Sequence, residues 1–325
     1  CLLSLLNETW HPGTAVPLVM LAQALSGIAK DLTKMSSKTA VKFLVPDDTD
    51  AKLYKWVAIL TGSKNAIKGV GFFLGGVLLQ AAGFRASLWI MAGGIALILI
   101  SAICMLPHEI GHVNKSAKLQ GMFNQPRNIN ILSAARVFLF GARDIWFVVS
   151  IPVYLHSSLA WSFTQVGSFM ATWVIAYGII QSLAPSLTRQ RTGGRAPNGR
   201  LSIELTALMA ASIIGILILL RLNIAPTTAV ITGLYLFGVF FALNSSVHSF
   251  LVLQYAKEKS AAMNVGFYYS ANAAGRLIGT LLSGVLFQVG GLQACLIGSA
   301  IFLLITAAIS LKLPTPDSPK APNND

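Results

Sequence analysis

Long apolar runs separated by short polar stretches repeat along the whole chain. Several of these runs reach the ~20 residues that an α-helix needs to cross the hydrocarbon core of a bilayer. The pattern predicts helical spans near 15–42, 56–80, 86–106, 131–155, 163–187, 202–220, 226–253, 262–289 and 292–312. Residues 1–6 have the pattern of the end of one further helix. The predicted fold class is therefore an all-α polytopic membrane protein, with about nine transmembrane helices plus a helix fragment.

The composition agrees with a membrane protein. Of the 325 residues 54% are apolar and 11% are charged, and the mean hydropathy is +0.68, whereas a soluble domain carries about 25% charged residues. The net charge is +13, but the basic residues are not gathered on one soluble domain, so we expect no nucleic-acid partner. The three cysteines have no metal or redox spacing, and no cofactor or metal is expected.

Polar stretches divide the chain into four predicted regions. These are a truncated N-terminal transmembrane bundle (1–106), a central cytoplasmic loop (107–130), a C-terminal six-helix bundle (131–313) and a disordered cytoplasmic tail (314–325). The loops on one side of the predicted spans hold fourteen Lys and Arg residues, and those on the other side hold two. Because cytoplasmic loops carry the excess of positive charge, the central loop and the C-terminus are predicted to be cytoplasmic. The predicted location is the inner (plasma) membrane.

Two segments that lie 208 residues apart resemble each other. Lys68 aligns with Arg276, and Gly83 aligns with Gly291. Repeats of half the protein are how many transporters build alternating access. Six predicted helices follow the central loop, whereas three and a fragment precede it, so equal halves would give twelve helices. We therefore expect that two helices and most of a third are missing from the N-terminus.

Cationic side chains lie inside the apolar segments. There are eight of them: Lys30, Lys34, Lys38, Lys64, Lys68, Arg136, Arg143 and Arg276. The same segments hold only two obvious acids, Asp31 and Asp144. A charge at bilayer depth costs several kcal/mol unless it faces a partner or a watery cavity. The surplus of positive charge predicts an anionic ligand, and the simplest one is a substrate that passes through.

Depth and chemistry select the candidate site residues. At a rise of about 1.5 Å per residue, Lys68, Arg143 and Arg276 fall near the middle of a ~30 Å hydrocarbon core. The predicted substrate-binding residues are Lys64, Lys68, Arg143 and Arg276, with Lys30, Lys34 and Arg136 widening the positive field and Asn65 and Asn272 donating to substrate oxygens. Asp31 and Asp144 are the candidates for a coupling proton. Structural pairing of these cations with the two acids, or with carbonyl groups at helix ends, is the alternative interpretation.

Other polar, aromatic and glycine residues are expected to be structural. Lys38 is expected to snorkel to the headgroups, and His156 and His248 to serve the fold. Trp173, Tyr268 and Tyr269 are expected to fill the core or an interfacial belt rather than to line a cavity. The glycines expected to permit close helix packing are Gly69, Gly71, Gly75, Gly76, Gly275, Gly279 and Gly284. No nucleophile elbow, P-loop or HExxH motif occurs, so we predict neither an enzyme nor an ATP-driven pump.

Four segments carry a resemblance to a known family. They are residues 22–36 (AQALSGIAKDLTKMS), 56–69 (WVAILTGSKNAIKG), 140–147 (FGARDIWF) and 194–200 (GRAPNGR). Together with the two-bundle architecture they resemble the organoarsenical-efflux permeases of the major facilitator superfamily, and the chain departs from that family in lacking the first helices. The resemblance implies export of 1-arseno-3-phosphoglycerate and arsenate resistance. It also implies a functional partner, glyceraldehyde-3-phosphate dehydrogenase, which supplies the substrate without implied contact.

Two other functions remain open at the level of sequence. A sugar-phosphate or organophosphate antiporter of the same superfamily would need the same cations, since arsenate and phosphate present similar oxygens. A membrane enzyme or a receptor that holds an anionic lipid in the basic pocket belongs to a different class. That third function predicts polar catalytic residues clustered at one membrane face, and the sequence contains no such cluster.

Overall fold

The computed structural model describes residues 2–5, 18, 21–22, 25–29, 32–33, 50–105, 125–193, 195–256 and 260–314. Lys30, Asp31, Lys34 and Lys38 lie outside the described residues. For Gly75 and Gly76 only the helical backbone is described. Most of the predicted central loop and nearly all of the predicted tail lie outside the described residues as well.

The described chain is helical. After a short 3-10 helix, Leu2–Leu5, the helices are α1 (Asp50–Met105), α2 (Arg127–Phe147), α3 (Ser150–Ser157), α4 (Phe163–Thr192), α5 (Gly199–Arg221), α6 (Pro226–Tyr255) and α7 (Ala261–Ser310). Within this part of the chain there is no strand. Six segments there are long and apolar enough to cross a membrane: Ala81–Met105, Arg127–Ser157, Gln165–Thr192, Gly199–Arg221, Pro226–Tyr255 and Ala261–Ser310. The predicted fold class, an all-α polytopic membrane protein, is confirmed.

Glycines break the two longest helices. Gly83 in α1 has φ 72° and ψ 176°, and Gly291 in α7 has φ 62° and ψ −155°. A positive φ is readily adopted only by glycine, which lacks a Cβ. The two breaks lie at aligned positions of the 208-residue repeat. In α7 the chain folds back after the break, because the Cys295 thiol lies 3.6 Å from the Ser283 carbonyl oxygen. One long helix therefore contains the two spans predicted at 262–289 and 292–312.

The span predicted as one helix over 131–155 is divided in two. Helix α2 ends at Phe147, and α3 begins at Ser150 after a two-residue turn. Pro152 in the first turn of α3 has no N–H, so it cannot continue the hydrogen-bond ladder of α2. The Ser150 hydroxyl donates to the Ile145 carbonyl at 3.1 Å, and its backbone N–H donates to the Ser283 hydroxyl at 3.2 Å. These bonds satisfy part of the interrupted backbone and join the turn to α7.

Two apolar clusters form the core. The first contains Trp146, Trp173 and Phe237, whose rings meet edge to face with centroids 5.3 to 5.7 Å apart. The second joins Tyr54 of α1 to Phe250 of α6, with ring centroids 5.5 Å apart. Because Tyr54 is buried in this second cluster, the first half of α1 packs against α4 and α6.

Close helix approaches are made at glycines. A side chain at Gly62 of α1 would collide with the backbone at Gly178 of α4, and one at Gly178 would collide with the backbone of Ala66. Helices α2 and α7 meet in the same way, with Gly275 and Gly279 of α7 against the α2 backbone. Of the glycines predicted to permit close packing, Gly69, Gly275 and Gly279 do so, whereas Gly71 and Gly284 have open space where a Cβ would lie.

Candidate functional site

The contact between α2 and α7 brings two arginines to one carboxylate. Arg143 Nε donates to Asp144 Oδ1 at 2.6 Å, and Arg143 Nη2 contacts the same oxygen. Arg276 Nε donates to Asp144 Oδ2 at 3.0 Å. The Asp144 side chain is fully buried, whereas 12% of the Arg143 side chain and 44% of the Arg276 side chain are exposed. We call these three residues the Asp144 cluster; its formal charge is +1, and Arg276 is its accessible edge.

This arrangement agrees with the pairing of cations and acids that the sequence left open as an alternative. Successive residues of a helix point about 100° apart, so helical direction alone would turn Asp144 away from its neighbour Arg143. The flexible side chain of Arg143 bends toward Asp144 instead, and its Nε donates to the adjacent carboxylate. Asp144 also faces a second helix, α7, through its ion pair with Arg276. Arg143 and Arg276 therefore share one acid, as the alternative interpretation had it, and the three side chains together carry one net positive charge.

Aromatic rings surround the guanidinium of Arg143. Its Cζ lies 5.1 Å from the ring centroid of Phe140, 5.7 Å from that of Phe147 and 5.3 Å from that of Phe241. Ring faces attract cations at this range, most strongly where water is excluded. These contacts and the two bonds to Asp144 hold the planar group in a fixed orientation.

Lys64 and Lys68 lie on α1, and both are exposed. They share a helical stripe with Val57, since spacings of seven and eleven residues return to one face. Val57 is fully buried in the cluster that joins α1 to α6. The stripe thus runs from a closed contact between helices at Val57 to exposed lysines about two and three turns further along the chain.

Asn65 does not join the cations. Its amide Nδ2 donates to Gln181 Oε1 at 2.6 Å, and Gln181 Nε2 donates to the Ser245 hydroxyl at 3.2 Å. This chain of hydrogen bonds links α1, α4 and α6 through the fully buried Gln181. The predicted role of Asn65 as a donor to substrate is therefore accompanied by a structural role between helices.

Arg136 lies two helical turns before Arg143 and is more deeply buried. Only 4% of it is exposed. Its Nε donates to Asn272 Oδ1 at 3.0 Å, and its Cζ lies 3.7 Å from the ring centroid of Phe140 and 5.1 Å from that of Tyr268. Among the described residues, no carboxylate forms an ion pair with Arg136, and its Nη1 has no hydrogen-bonding partner. Asn272 therefore accepts from Arg136 with the oxygen of its side-chain amide.

A buried polar network beside Arg136 was missed by sequence reasoning. Ser202 Oγ donates to Asn244 Oδ1 at 2.8 Å and lies 2.9 Å from His248 Nε2, while Asn244 Nδ2 donates to Thr206 Oγ1 at 2.9 Å. His248 is fully buried and within electrostatic range of Arg136. The signal was available, because Ser202 and Thr206 on α5, and Asn244 and His248 on α6, are each four residues apart and so share a helix face.

An apolar groove lies apart from these charges. It has a volume of about 540 Å³ between α5 and α6 and is lined by residues such as Leu208, Leu219 and Leu236. The lining contains no cation, and the hydroxyls of Ser212 and Thr232 on it donate to carbonyl oxygens of their own helices. The groove is therefore suited to hydrocarbon, and the candidate site is the charged interior.

Ionisable side chains inside membrane-spanning helices mark a functional site, and they are common along the substrate pathways of transporters. The family model of the Major Facilitator Superfamily matches residues 1–247 and also residues 132–325. The chain belongs to the Major Facilitator Superfamily, and it is thus a multi-pass membrane protein of a transporter family.

Other comparisons bear on the fold. A search of curated proteins found no match. The structure is similar to the crystal structure of a bacterial homologue of the iron transporter ferroportin in an outward-facing state. The TM-score is 0.71 and the sequence identity 18%, and the alignment covers 94% of this chain and 75% of that chain. At this identity the likeness establishes the fold alone.

Proposed function

We propose that the protein is a secondary exporter of an anionic organoarsenical, 1-arseno-3-phosphoglycerate, and that it gives arsenate resistance. The observation that carries this proposal is the Asp144 cluster, where two guanidinium groups share one carboxylate and Arg276 remains half exposed. Arginine binds the oxygens of phosphate-like groups through two parallel N–H bonds. The substrate has an arsenate and a phosphate group, and the cluster has one positive charge in excess.

Both segments of the repeat contribute to the proposed cavity. Arg143 and Arg276 supply fixed guanidinium groups from α2 and α7, and Lys64 and Lys68 supply flexible ammonium groups from α1. A doubly charged anion between them attracts α1 toward α2 and α7. The closed contact of Tyr54 with Phe250 then separates and reforms as the cavity alternates between the two sides of the membrane.

Asp144 is the proposed coupling residue within the described chain. An anion that binds Arg143 and Arg276 displaces the carboxylate that now occupies them. A proton on the released Asp144 removes its negative charge, so anion binding and protonation favour each other by linkage. Asp31, the second candidate from the sequence, lies outside the described residues. The chain has no ATP-binding motif, and a proton gradient or an exchanged solute is the proposed source of energy.

Orientation and partners complete the proposal. The bias of basic residues supports an orientation with the central loop and the C-terminus in the cytoplasm, and the proposed location is the inner (plasma) membrane. Glyceraldehyde-3-phosphate dehydrogenase is the proposed source of substrate, because it forms the arsenylated ester when it accepts arsenate. No physical contact between the two proteins is required.

Arsenate-sensitive cells that express the dehydrogenase provide the direct test. Expression of the transporter is expected to restore growth on arsenate, and Arg143→Ala or Lys68→Ala is expected to abolish the restoration. Lys52→Ala is the matched control, because Lys52 is an exposed lysine near the start of the same helix as Lys68. Full resistance in both cavity variants, at equal protein levels, would remove the support for these roles.

A sugar-phosphate or organophosphate antiporter is the alternative, because the arginine fork of the Asp144 cluster binds phosphate oxygens as readily as arsenate oxygens. Uptake of labelled organoarsenical into inside-out vesicles distinguishes the two. Weak competition by glycerol phosphate supports the organoarsenical exporter. Competition at equal concentration, together with phosphate-driven exchange, supports the antiporter.

A further inference from the structure

We propose that Arg136, His248, Tyr268 and Asn272, which we call the Arg136 cluster, form a second oxyanion site that takes a protonated phosphate-like group. The site is distinct from the Asp144 cluster, since Arg136 precedes Arg143 by seven residues, or about 10 Å along a helix. Its place in a transport cycle rests on the proposed function. Its ability to bind inorganic phosphate does not, and the two can fail separately.

The charge of Arg136 is the first argument. The side chain is 4% exposed, and its one hydrogen bond to a side chain in the described region goes to the neutral Asn272. The faces of Phe140 and Tyr268 provide weak cation–π attraction but do not neutralise the charge. Buried charges are normally paired, and a buried polar atom without a partner calls for a ligand, water or ion. An anion at Nη1 satisfies both conditions.

Two side chains near the same guanidinium carry further buried polar atoms. The Tyr268 hydroxyl and His248 Nδ1 both lack a hydrogen-bonding partner among the described residues, and both side chains are fully buried. Tyr268 packs against Arg136, and His248 lies within its electrostatic range. The hydroxyl and Arg136 Nη1 are donors toward an oxyanion, and Asn272 fixes the plane of the guanidinium by accepting from its Nε.

The polar network determines the role of His248. Thr206 Oγ1 donates a hydrogen bond to the Ser202 carbonyl, so it accepts one from Asn244 Nδ2. This fixes the orientation of the Asn244 amide, whose Oδ1 accepts a hydrogen bond from the Ser202 hydroxyl. Ser202 Oγ must then accept from His248 Nε2, which carries the proton of the neutral imidazole. His248 Nδ1 is left as an acceptor. An acceptor beside a guanidinium suits an oxyanion that retains an O–H group, such as hydrogen phosphate or hydrogen arsenate, and disfavours sulfate.

Access to the Arg136 cluster is controlled by α1. Tyr268 belongs to the same apolar core as Tyr54 and Val57, which close it from the α1 side. An oxyanion reaches Arg136 when the first half of α1 moves away from α6. An anion that enters from the end of the helices predicted to be cytoplasmic therefore reaches the Arg136 cluster first and the Asp144 cluster second.

Binding of inorganic phosphate to the full chain in lipid nanodiscs tests the site at neutral pH. Phosphate is expected to bind, arsenate to compete with it, and sulfate to compete at least tenfold less well. Arg136→Gln and Tyr268→Phe are expected to weaken phosphate binding, by about tenfold or more for the arginine. The matched controls are Arg127→Gln, an exposed arginine on the same helix, and Tyr235→Phe, whose hydroxyl bonds Thr172. Both controls are expected to bind phosphate normally.

Three results overturn the proposal. One is the absence of phosphate binding, even in a Gly178→Ala variant made to loosen the closed contact of α1. Another is phosphate binding that survives Arg136→Gln and Tyr268→Phe but is lost in Arg143→Gln, which assigns it to the Asp144 cluster. The third is equal affinity for sulfate and phosphate, which excludes His248 as the acceptor. If Arg136→Gln fails to fold, the effect of Tyr268→Phe on phosphate binding decides the test, because this change removes only a single oxygen atom. Arsenate resistance is scored separately, so each proposal can fail alone.

Discussion

The two glycine-broken helices α1 and α7 carry the same backbone feature and different charges. Each breaks at a glycine with positive φ, and each has a cation fifteen residues before the break: Lys68 in α1 and Arg276 in α7. Arg276 is bound to a buried carboxylate, whereas Lys68 is exposed on the stripe above Val57. Lysine is a hydrated point charge on a flexible stem, and arginine is a planar fork that loses less freedom on binding. We infer that α7 and α2 define selectivity and that α1 supplies adaptable charge.

Removal of the shared carboxylate is expected to have the largest effect. Asp144→Asn leaves two guanidinium groups in the interior without an acid, and breaking a buried pair in this way costs about 3–5 kcal/mol. We expect a strong fall in the thermal stability of the protein in nanodiscs, and partial recovery in high phosphate, which supplies the missing charge. Glu204→Gln is the control, because Glu204 pairs with exposed arginines at 3.5 and 3.7 Å and should contribute less than about 1 kcal/mol. Equal stability of both variants would contradict the structural role of Asp144.

Exchange of the aligned cations tests the comparison directly. Arg276→Lys is expected to reduce transport at least tenfold, because an ammonium group cannot reproduce the planar fork held by Asp144. Lys68→Arg is expected to retain most of the activity, since that position requires a positive charge but no fixed plane. The measurement is efflux of labelled substrate from cells at matched protein levels. A tolerant Arg276 together with an intolerant Lys68 would reverse the assignment of selectivity.

A single methyl group at the contact of α1 with α4 is expected to impair transport. Gly178→Ala places a Cβ against the backbone of Ala66, so the first half of α1 can no longer close on α4. The same change at Gly71 meets open space and should be neutral or mildly stabilising, since alanine favours a helix over glycine by about 0.5–1 kcal/mol. Transport assays and thermal stability on both variants provide the comparison. Loss of transport in Gly71→Ala alone would refute the closed contact as the moving surface.

The smallest effect is expected at the hydroxyl of Tyr54. It lies 3.5 Å from Thr188 Oγ1, the long limit of a hydrogen bond. Tyr54→Phe keeps the ring against Phe250 and should change stability by less than about 1 kcal/mol. Tyr54→Ala removes the ring, and we expect it to expose the Arg136 cluster and raise the rate of phosphate binding. Equal rates of phosphate binding in the two variants would contradict closure of the Arg136 cluster by apolar packing of the Tyr54 ring.

Sequence periodicity predicted the helices well, because each span is defined by its own apolar residues. The repeat aligned Gly83 with Gly291, but the breaks at the two glycines were not predicted and are seen only in the structure. The division of the span at Val148 was missed, although Pro152 was visible in the sequence. In the long run of apolar residues, the hydropathy signal outweighed a single helix-breaking residue.

The pairing of side chains was harder to predict than the helices. The bond from Arg143 to its neighbour Asp144 depends on how far an arginine side chain bends, which helical direction alone does not give. The partners of His248 lie on another helix, so the network depends on the packing of α5 against α6. Arg136 was predicted to widen the positive field, and its depth and its lack of an ion pair with any described carboxylate emerged only from the packed structure.

The buried carboxylate of Asp144 has a consequence for the empty protein. It is a tethered competitor, present beside Arg143 and Arg276 at an effective concentration in at least the millimolar range. A weakly held monovalent ion such as chloride has to displace it and gains little by doing so. A polyvalent ester gains contacts with several cations at once. We therefore expect the protein not to conduct chloride, so that cells producing it keep their membrane potential.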